Sequence, residues 1–430
     1  MMQWSGDRSA MGYNVIEQRS TSCCVVGGGP AGLMLALLLA RQGIKVTVLE
    51  SQLDFDRDFR GDTIHPAILE ALDQIDLAER LLEIPHGRME IAQLCSQGIV
   101  TNLADFRCLN TRYPFVAVLP QVEFLKFIAG EASRYSGFEL VMGARVEELI
   151  QDKGSTHGVR YRDRQHELHE VRATLTVGAD GRFSKVRSLC GAELQRTSPS
   201  MDVLWFRMPR RADDPHNQFR FHVGGGHLVV LLERAQEWQV GYLLLKGEFA
   251  ATKAAGLDAF RRHLSRHVSW LSDRVNVLQT WKQIVVLSVE SSFVKTWHQS
   301  GLLLIGDAAH VMSPVGGVGI NVAIQDAIAA ANLLTEPLNR ESIKSDELAS
   351  VQSQREQAVH AIQRFQTMVQ NRIIKNALND AQPFKLPLLL RILLKFPVLR
   401  NVPARMIAFG GRPSRIADNL IQDHCHSHLY

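Results

Sequence analysis

Cysteine is scarce in this sequence: there are six in 430 residues, and no two are spaced as CxxC. That excludes a zinc ribbon and a disulfide scaffold, which need closely spaced, repeated thiols. Cys23 and Cys24 sit side by side in an apolar run, where reduced thiols behave as small hydrophobes. The expected setting is reducing and cytoplasmic. Long hydrophobic runs are missing as well. The first apolar stretch, Gly32–Ala40, is too short to cross a bilayer. Residues 1–20 hold no apolar core of signal-peptide length and read as a loosely held extension. Nor does one sign of charge dominate: 48 Lys and Arg oppose 44 Asp and Glu, a net +4. With no nucleic-acid signature beside that balance, nucleic acid is not an expected partner. Repeats and low-complexity runs are also lacking.

What is present is an ordered change of pattern along the chain. Ser22–Glu50 reads strand, glycine loop, helix, strand. A helix is expected from about Pro66, another over 119–135, and a meander over 144–177 that ends at GADG. Residues 200–290 are rich in strands, with a helix near Leu257–Val268, and the chain is helical from Gly319 onward. The fold class is therefore α/β. A Rossmann-like domain is expected from three pieces, 21–85, 115–190 and 285–345. A mixed β-sheet domain from 86–114 and 191–284 is inserted in it, and 346–430 forms a helical C-terminal region.

Three motifs carry the chemistry. In CCVVGGGPAGLMLALLLARQGIKVTVLE, Gly27, Gly29 and Gly32 form GxGxxG between a strand and a helix. Gly27 serves the tight turn, Gly29 lets backbone approach a pyrophosphate, and Gly32 lets the helix pack on the strand. Pro30 suits the first helical turn, and Gly43 ends the helix. The helix N-terminus offers free N–H groups to phosphate oxygens. Glu50, at the end of the second strand, stands where a carboxylate accepts from ribose hydroxyls. That disfavours a 2′-phosphate on this ribose and leaves NAD and FAD open.

The second motif, TLTVGADGRFSKVRSLCG, runs a strand into Gly178, Asp180 and Gly181. Its aspartate can order a turn against a ligand, or simply hold a strand–turn–helix together. The third, GLLLIGDAAHVMSPVGGVGINVAIQDA, places Asp307 at the end of a buried-type strand, where open α/β sheets bind ligands. Pro314, Gly316, Gly317 and Gly319 then let main chain lie close to something flat. A ligand with a pyrophosphate, a polyol and an anion-forming ring meets all three demands. FAD has these parts, and NAD has no polyol.

Standing in this order as GGGPAG, GADGRFSKVR and GDAAHVMSPVGGVGIN, the motifs resemble the single-component (class A) FAD-dependent monooxygenases. The type is that of p-hydroxybenzoate hydroxylase and the ubiquinone-biosynthesis hydroxylases, and the likeness runs from about Thr21 to Arg412. The resemblance implies a glutathione-reductase-type FAD domain. It also implies a hydroxylase that uses NADPH or NADH as transient co-substrate with O2, through a flavin C4a-hydroperoxide. Arg60 would contact the FAD near its adenosine and pyrophosphate, Gln121 the ribitol region, and Asp307 the ribitol itself. Asp180 would serve FAD and pyridine nucleotide. Gly317, Val318, Gly319, Ile320 and Asn321 would line the pyrophosphate and ring edge. Pro30, Ala31, Ser51, Val146, Gly181 and Gly306 would complete the cofactor wall. No residue stands out as a catalyst; Pro314 and Gly317 would lie near the reactive edge of the flavin. No second Rossmann repeat is visible for a nicotinamide.

The inserted sheet would face the flavin, with Trp205, Arg207, Arg220, His222 and Tyr242 as substrate candidates. Its aromatic, apolar content suits an aromatic, quinone-like or polycyclic small molecule. His310 on the GD turn and His65 before Pro66 read as structural residues. The terminal DHCHSHLY reads as a tail, with no metal expected. Pro383–Pro413, apolar with scattered Lys and Arg, could touch a membrane surface; its prolines favour short helices packed on the body. A monomer or homodimer is expected. A flavin-dependent halogenase would carry WxWxIP, and the nearest string here is WFRMP. An FAD oxidoreductase without oxygen insertion, and a flavin-binding protein without turnover, stay as alternatives.

Overall fold

Strand residues buried on both faces build the larger sheet. Cys23 to Val26 and Val46 to Leu49 are enclosed without alternation, the signature of a parallel strand covered on two sides. The computed structural model describes residues 15–56, 62–96, 98–197, 201–378, 384, 397–410 and 412–422. Within it, the parallel strands of an eight-stranded sheet lie in the order Leu302–Leu304, Leu168–Gly178, Val15–Val26, Val46–Glu50, Phe138–Met142. Ser155–Arg162 pairs antiparallel with Leu168–Gly178, and Arg145–Asp152 pairs antiparallel with Ser155–Arg162, as the meander reading expects. Val26, Glu50, Gly178 and Leu304 therefore all end at one edge. The first strand has the second on one side and Leu168–Gly178 on the other. That reversal of order opens a crevice at the strand ends.

Helix Pro30–Arg41 packs against Gln121–Ala132 and against the long helix Gly319–Asn339. One stretch, Val315–Asn339, is long and apolar enough to cross a membrane, but most of it is buried within the fold. The N-terminal expectation needs one correction. Val15–Ser20 is not loose: it forms the start of the first strand and pairs with residues of Leu168–Gly178. Residues 1–14 lie outside the described residues.

A second sheet of seven strands runs Val285–Ser288, Met201–Pro209, Glu237–Leu245, His227–Glu233, Gln218–Gly224, Ile91–Ser96, Ile99–Asp105. Val285–Ser288 belongs here, paired with Asp202–Trp205. The strand-rich reading of 200–290 anticipates this, whereas a boundary at 284 does not. Alternation splits the sheet into two faces. Val203, Trp205, Val223 and Val230 join a core that includes Ala404 and Ala408 of helix Pro397–Phe409. Phe206, Val229, Leu231 and Tyr242 join another, capped by Phe260 and Leu264 of helix Leu257–His267. Of the apolar stretch 383–413, most of the part before Pro397 lies outside the described residues. Helix Pro397–Phe409 packs on Ile99–Asp105, as the packed reading expects. The tail 423–430 also lies outside them.

Candidate active site

The crevice at the strand ends continues into a single cavity of about 1710 Å³ that reaches the second sheet. At its nucleotide end lie Gly27, Gly29, Pro30, Ala31, Glu50 and Ser51. Gly27 has φ +109°, and a Cβ there would meet Ala179 O at 2.4 Å. At Gly32 a Cβ would sit 2.0 Å from Gly27 O, so this glycine serves strand–helix packing and does not face the cavity. Gly29 differs: its Cβ would meet no protein atom nearer than Ala179 O at 3.9 Å. The space beside it is left for something that is not protein. Gly29 is also the N-cap of Pro30–Arg41, and no side chain caps that helix. Its first amides stay available to an anion.

Glu50 is buried at the end of its strand. One oxygen accepts from Gly28 N at 2.8 Å and the other from Gln52 N at 2.8 Å. Its position beside the glycine loop is thus fixed by backbone amides. Val146 and Gln121 also line the cavity. The Gln121 amide donates to Asp62 at 3.3 Å, and Asp62 in turn pairs with buried Arg234. Burial raises the Asp62 carboxyl above its usual range, although Arg234 pulls it down. Arg60 lies outside the described residues.

In the GADG turn Asp180 holds the strand–turn–helix together. Its carboxylate accepts from Ser184 Oγ, from Lys185 N at 2.6 Å and from Val186 N at 3.0 Å. Both oxygens are engaged inside the strand–turn–helix, and Asp180 and Gly181 also line the cavity. Burial lifts this carboxyl above the usual range, with those hydrogen bonds opposing the rise. On the helix it orders, buried Arg187 reaches across to donate to Ala308 O at 3.0 Å and Asp307 O at 3.4 Å. The second motif holds the third in place.

Asp307 lies in the turn Gly306–Ala308 and lines the cavity; Gly306 does not. Gly306 N donates to Asp326 Oδ2 at 3.1 Å, and His310 Nε2 lies 2.6 Å from the same oxygen. Arg355 completes the group through Asp326 Oδ1. His310 is therefore structural, as expected. Pro314, Gly317, Gly319 and Ile320 line the cavity, whereas Val318 and Asn321 do not. Asn321 corrects its expected role: its side chain accepts from His65 N at 2.8 Å and donates to Thr63 O and Gly317 O. It shapes the glycine loop and makes no cavity surface. His65 caps the helix Pro66–Asp73 by backbone and lies 2.7 Å from Ile407 O through Nδ1. From the other side, Gln366 donates to the carbonyls of Ser313 and Val315.

Beyond this loop the cavity becomes a chamber. Trp205, Phe219, Phe221 and Val230 of the second sheet form one wall. Phe365, Met368, Ile374 and Ile407 of the C-terminal helices also line it. The substrate candidates divide by strand parity. Trp205 lines the chamber. Arg220, His222 and Tyr242 are corrected: neighbours Phe219, Phe221 and Leu243 line it, so these three occupy the opposite face. Tyr242 sits in the core beneath Leu257–His267. Arg207 shares the face of Trp205 but lies outside the chamber, exposed, 3.5 Å from Glu237.

Sequence reasoning missed Arg187, Asp326, Arg355 and the wall from the C-terminal helices. A signal for Asp326 exists: a lone acid in the apolar run INVAIQDAIAAANLL needs a buried partner.

The donor set and the space at Gly29 fit FAD. The FAD-binding domain family matches residues 20–366. The chain belongs to that family. It is 32% identical over 408 residues to 6-methylpretetramide 4-monooxygenase of Streptomyces rimosus, covering 94% of this chain and 96% of that one. Rifampicin monooxygenase of Streptomyces venezuelae is 29% identical, over 70% of this chain and 61% of its own length. The chain thus spans nearly all of the first relative and about three fifths of the second. Among solved structures, Pseudomonas aeruginosa PqsL, titled a probable FAD-dependent monooxygenase, superposes with a TM-score of 0.71 at 20% identity. That match covers 84% of this chain and 98% of PqsL, and at this identity it speaks to fold. This flavoprotein is a class A FAD-dependent monooxygenase.

Proposed function

We propose that this flavoprotein takes electrons from NADPH or NADH and, with O2, hydroxylates a polycyclic aromatic or quinone-like molecule. The observation that carries the substrate class is the chamber. Its wall includes Trp205, Phe219, Phe221, Val230, Phe365 and Ile374, all apolar, while charged residues such as Arg182 and Lys185 line the same cavity elsewhere. Small charged acids would need a partner for their carboxylate, whereas fused rings are recognised by apolar area and ring contacts. The names of two relatives agree: 6-methylpretetramide 4-monooxygenase, and 12-dehydrotetracycline 5-monooxygenase/anhydrotetracycline 6-monooxygenase of Streptomyces rimosus.

Gly27, Gly29 and the first turn of Pro30–Arg41 would hold the pyrophosphate, Glu50 the adenosine ribose, and Asp307 the ribitol. Pro314, Gly317 and Gly319 would lie against the ring. Bound FAD supplies the oxygen-transfer chemistry; the chain positions it, excludes water and presents the substrate. A cytoplasmic enzyme that docks its reductant transiently is the consistent reading. The test is purification of a yellow protein that releases FAD, followed by NADPH and NADH oxidation with fused-ring phenols and with small benzoates. Fused-ring phenols should accelerate oxidation and acquire oxygen from labelled O2. Turnover confined to small charged acids would overturn the proposal.

A further inference from the structure

On the face of the second sheet that turns away from the cavity, three imidazoles converge. His263 and His267 are four residues apart on helix Leu257–His267, so they share one side of it. His227 begins strand His227–Glu233. Its ring centroid is 5.2 Å from that of His263 and 4.9 Å from that of His267. One nitrogen from each ring lies within 4.8 Å of the other two. Behind them, the Tyr242 hydroxyl is 2.7 Å from His227 Nδ1. The Tyr242 oxygen can accept from Nδ1–H, and in that tautomer Nε2 carries the lone pair of the ring. Metal-ligating histidines are commonly braced in this way.

We infer that His227, His263 and His267 form a binding site for one divalent transition-metal ion of the zinc type. Three imidazole nitrogens select ions that prefer such ligands, Zn²⁺, Co²⁺ and Ni²⁺ among them, over Mg²⁺ or Ca²⁺, which want oxygen. Tetrahedral Zn–N bonds of about 2.0–2.1 Å require the nitrogens to close in modestly. His263 is exposed and can turn to do so. Water would take the fourth position. The ion would tie Leu257–His267 to the strand whose Leu228, Val230 and Leu232 line the chamber. It thus braces the outer side of that wall.

The test uses untagged, full-length, FAD-loaded protein stripped of metal and titrated with Co²⁺, followed by its visible d–d absorption. Thermal unfolding is then recorded with and without Zn²⁺. One equivalent of Co²⁺ should bind, and Zn²⁺ should raise Tm. His263→Ala and His267→Ala should each weaken Co²⁺ binding at least tenfold and abolish the Zn²⁺ shift. Tyr242→Phe, acting only through His227, should weaken binding by about tenfold. Flavin absorbance in each variant checks folding. Because DHCHSHLY also offers ligands, a variant with His424, His426 and His428 changed to Ala is run beside them, and it should bind as the parent does. No saturable Co²⁺ signal, or a signal lost in the tail variant and kept in His263→Ala, would overturn the assignment.

Discussion

Arg355 donates through Nε to Asp326 Oδ1 at 2.9 Å across 29 residues of chain, with both side chains sealed from solvent. The same carboxylate receives Gly306 N and meets His310 through its other oxygen. One buried acid thus joins the C-terminal helices to the turn that presents Asp307. Burial opposes its ionisation, but His310 and Arg355 outweigh that and hold its pKa below the usual carboxylate range.

Asp326→Asn should strand the Arg355 charge in the interior. Removing one partner of a buried pair costs about 3–5 kcal/mol. The sign for pH follows from the depressed pKa. The pair's contribution is present above the unfolded carboxylate value of about 4 and is lost as pH falls through the lower folded value. Urea unfolding at pH 7 should show the variant strongly destabilised and poor in FAD, and the gap from wild type should shrink in acid.

Gly29 and Gly32 separate cofactor contact from packing. A Cβ at Gly32 collides with Gly27 O at 2.0 Å, whereas one at Gly29 stays 3.9 Å from the nearest protein atom. Gly29→Ala is therefore expected to fold normally and bind FAD at least tenfold more weakly. Gly32→Ala should lose folded protein altogether. Circular dichroism and flavin content, measured together, decide it; an FAD-replete Gly29→Ala would count against pyrophosphate contact there.

His65 sets a pH dependence of opposite origin. Burial pushes its imidazole down to about 4 from 6.5, so in the folded chain it stays neutral. Between those values the unfolded chain takes up a proton that the folded chain refuses. Stability then falls as pH drops from 6.5 towards 4, by up to about 1.4 kcal/mol per pH unit for one proton. Burial depresses His222 in the same direction. His65→Gln should flatten the slope of the urea midpoint over that interval without removing it.

Gly27, Glu50, Asp180 and Asp307 were legible in the sequence because each sits at a strand end. Parallel pairing brings such ends to one edge whatever lies between them. The role of Asp180 needed coordinates: whether a carboxylate turns outward or caps its own helix depends on one hydroxyl and two amides that no pattern reveals. Parity was the weak point in the second sheet. Arg220 and His222 look chemically apt, yet Phe219 and Phe221 take the chamber face, and alternation then sends the polar pair away. Arg355 was invisible because its partner is distant in sequence. The chamber wall from 365–377 was missed because an apolar helix face reads the same against a core as against a cavity.

Gly241 offers the sharpest probe of the chamber. It pairs across the sheet with Trp205, and a Cβ there would meet the indole ring at 2.7 Å. The glycine makes room for the ring, which lines the chamber from the neighbouring strand. In Gly241→Ala the indole must tilt, and the tightly packed sheet beneath it leaves the chamber as the direction with space. Fused-ring substrates should then bind several-fold more weakly, while flavin content stays at the wild-type level because Gly241 is remote from the nucleotide loop. Trp205→Phe should do the reverse and admit bulkier rings. Steady-state NADPH oxidation across a series of two-, three- and four-ring phenols measures both. An unchanged size preference in the two variants would remove Trp205 from the substrate wall.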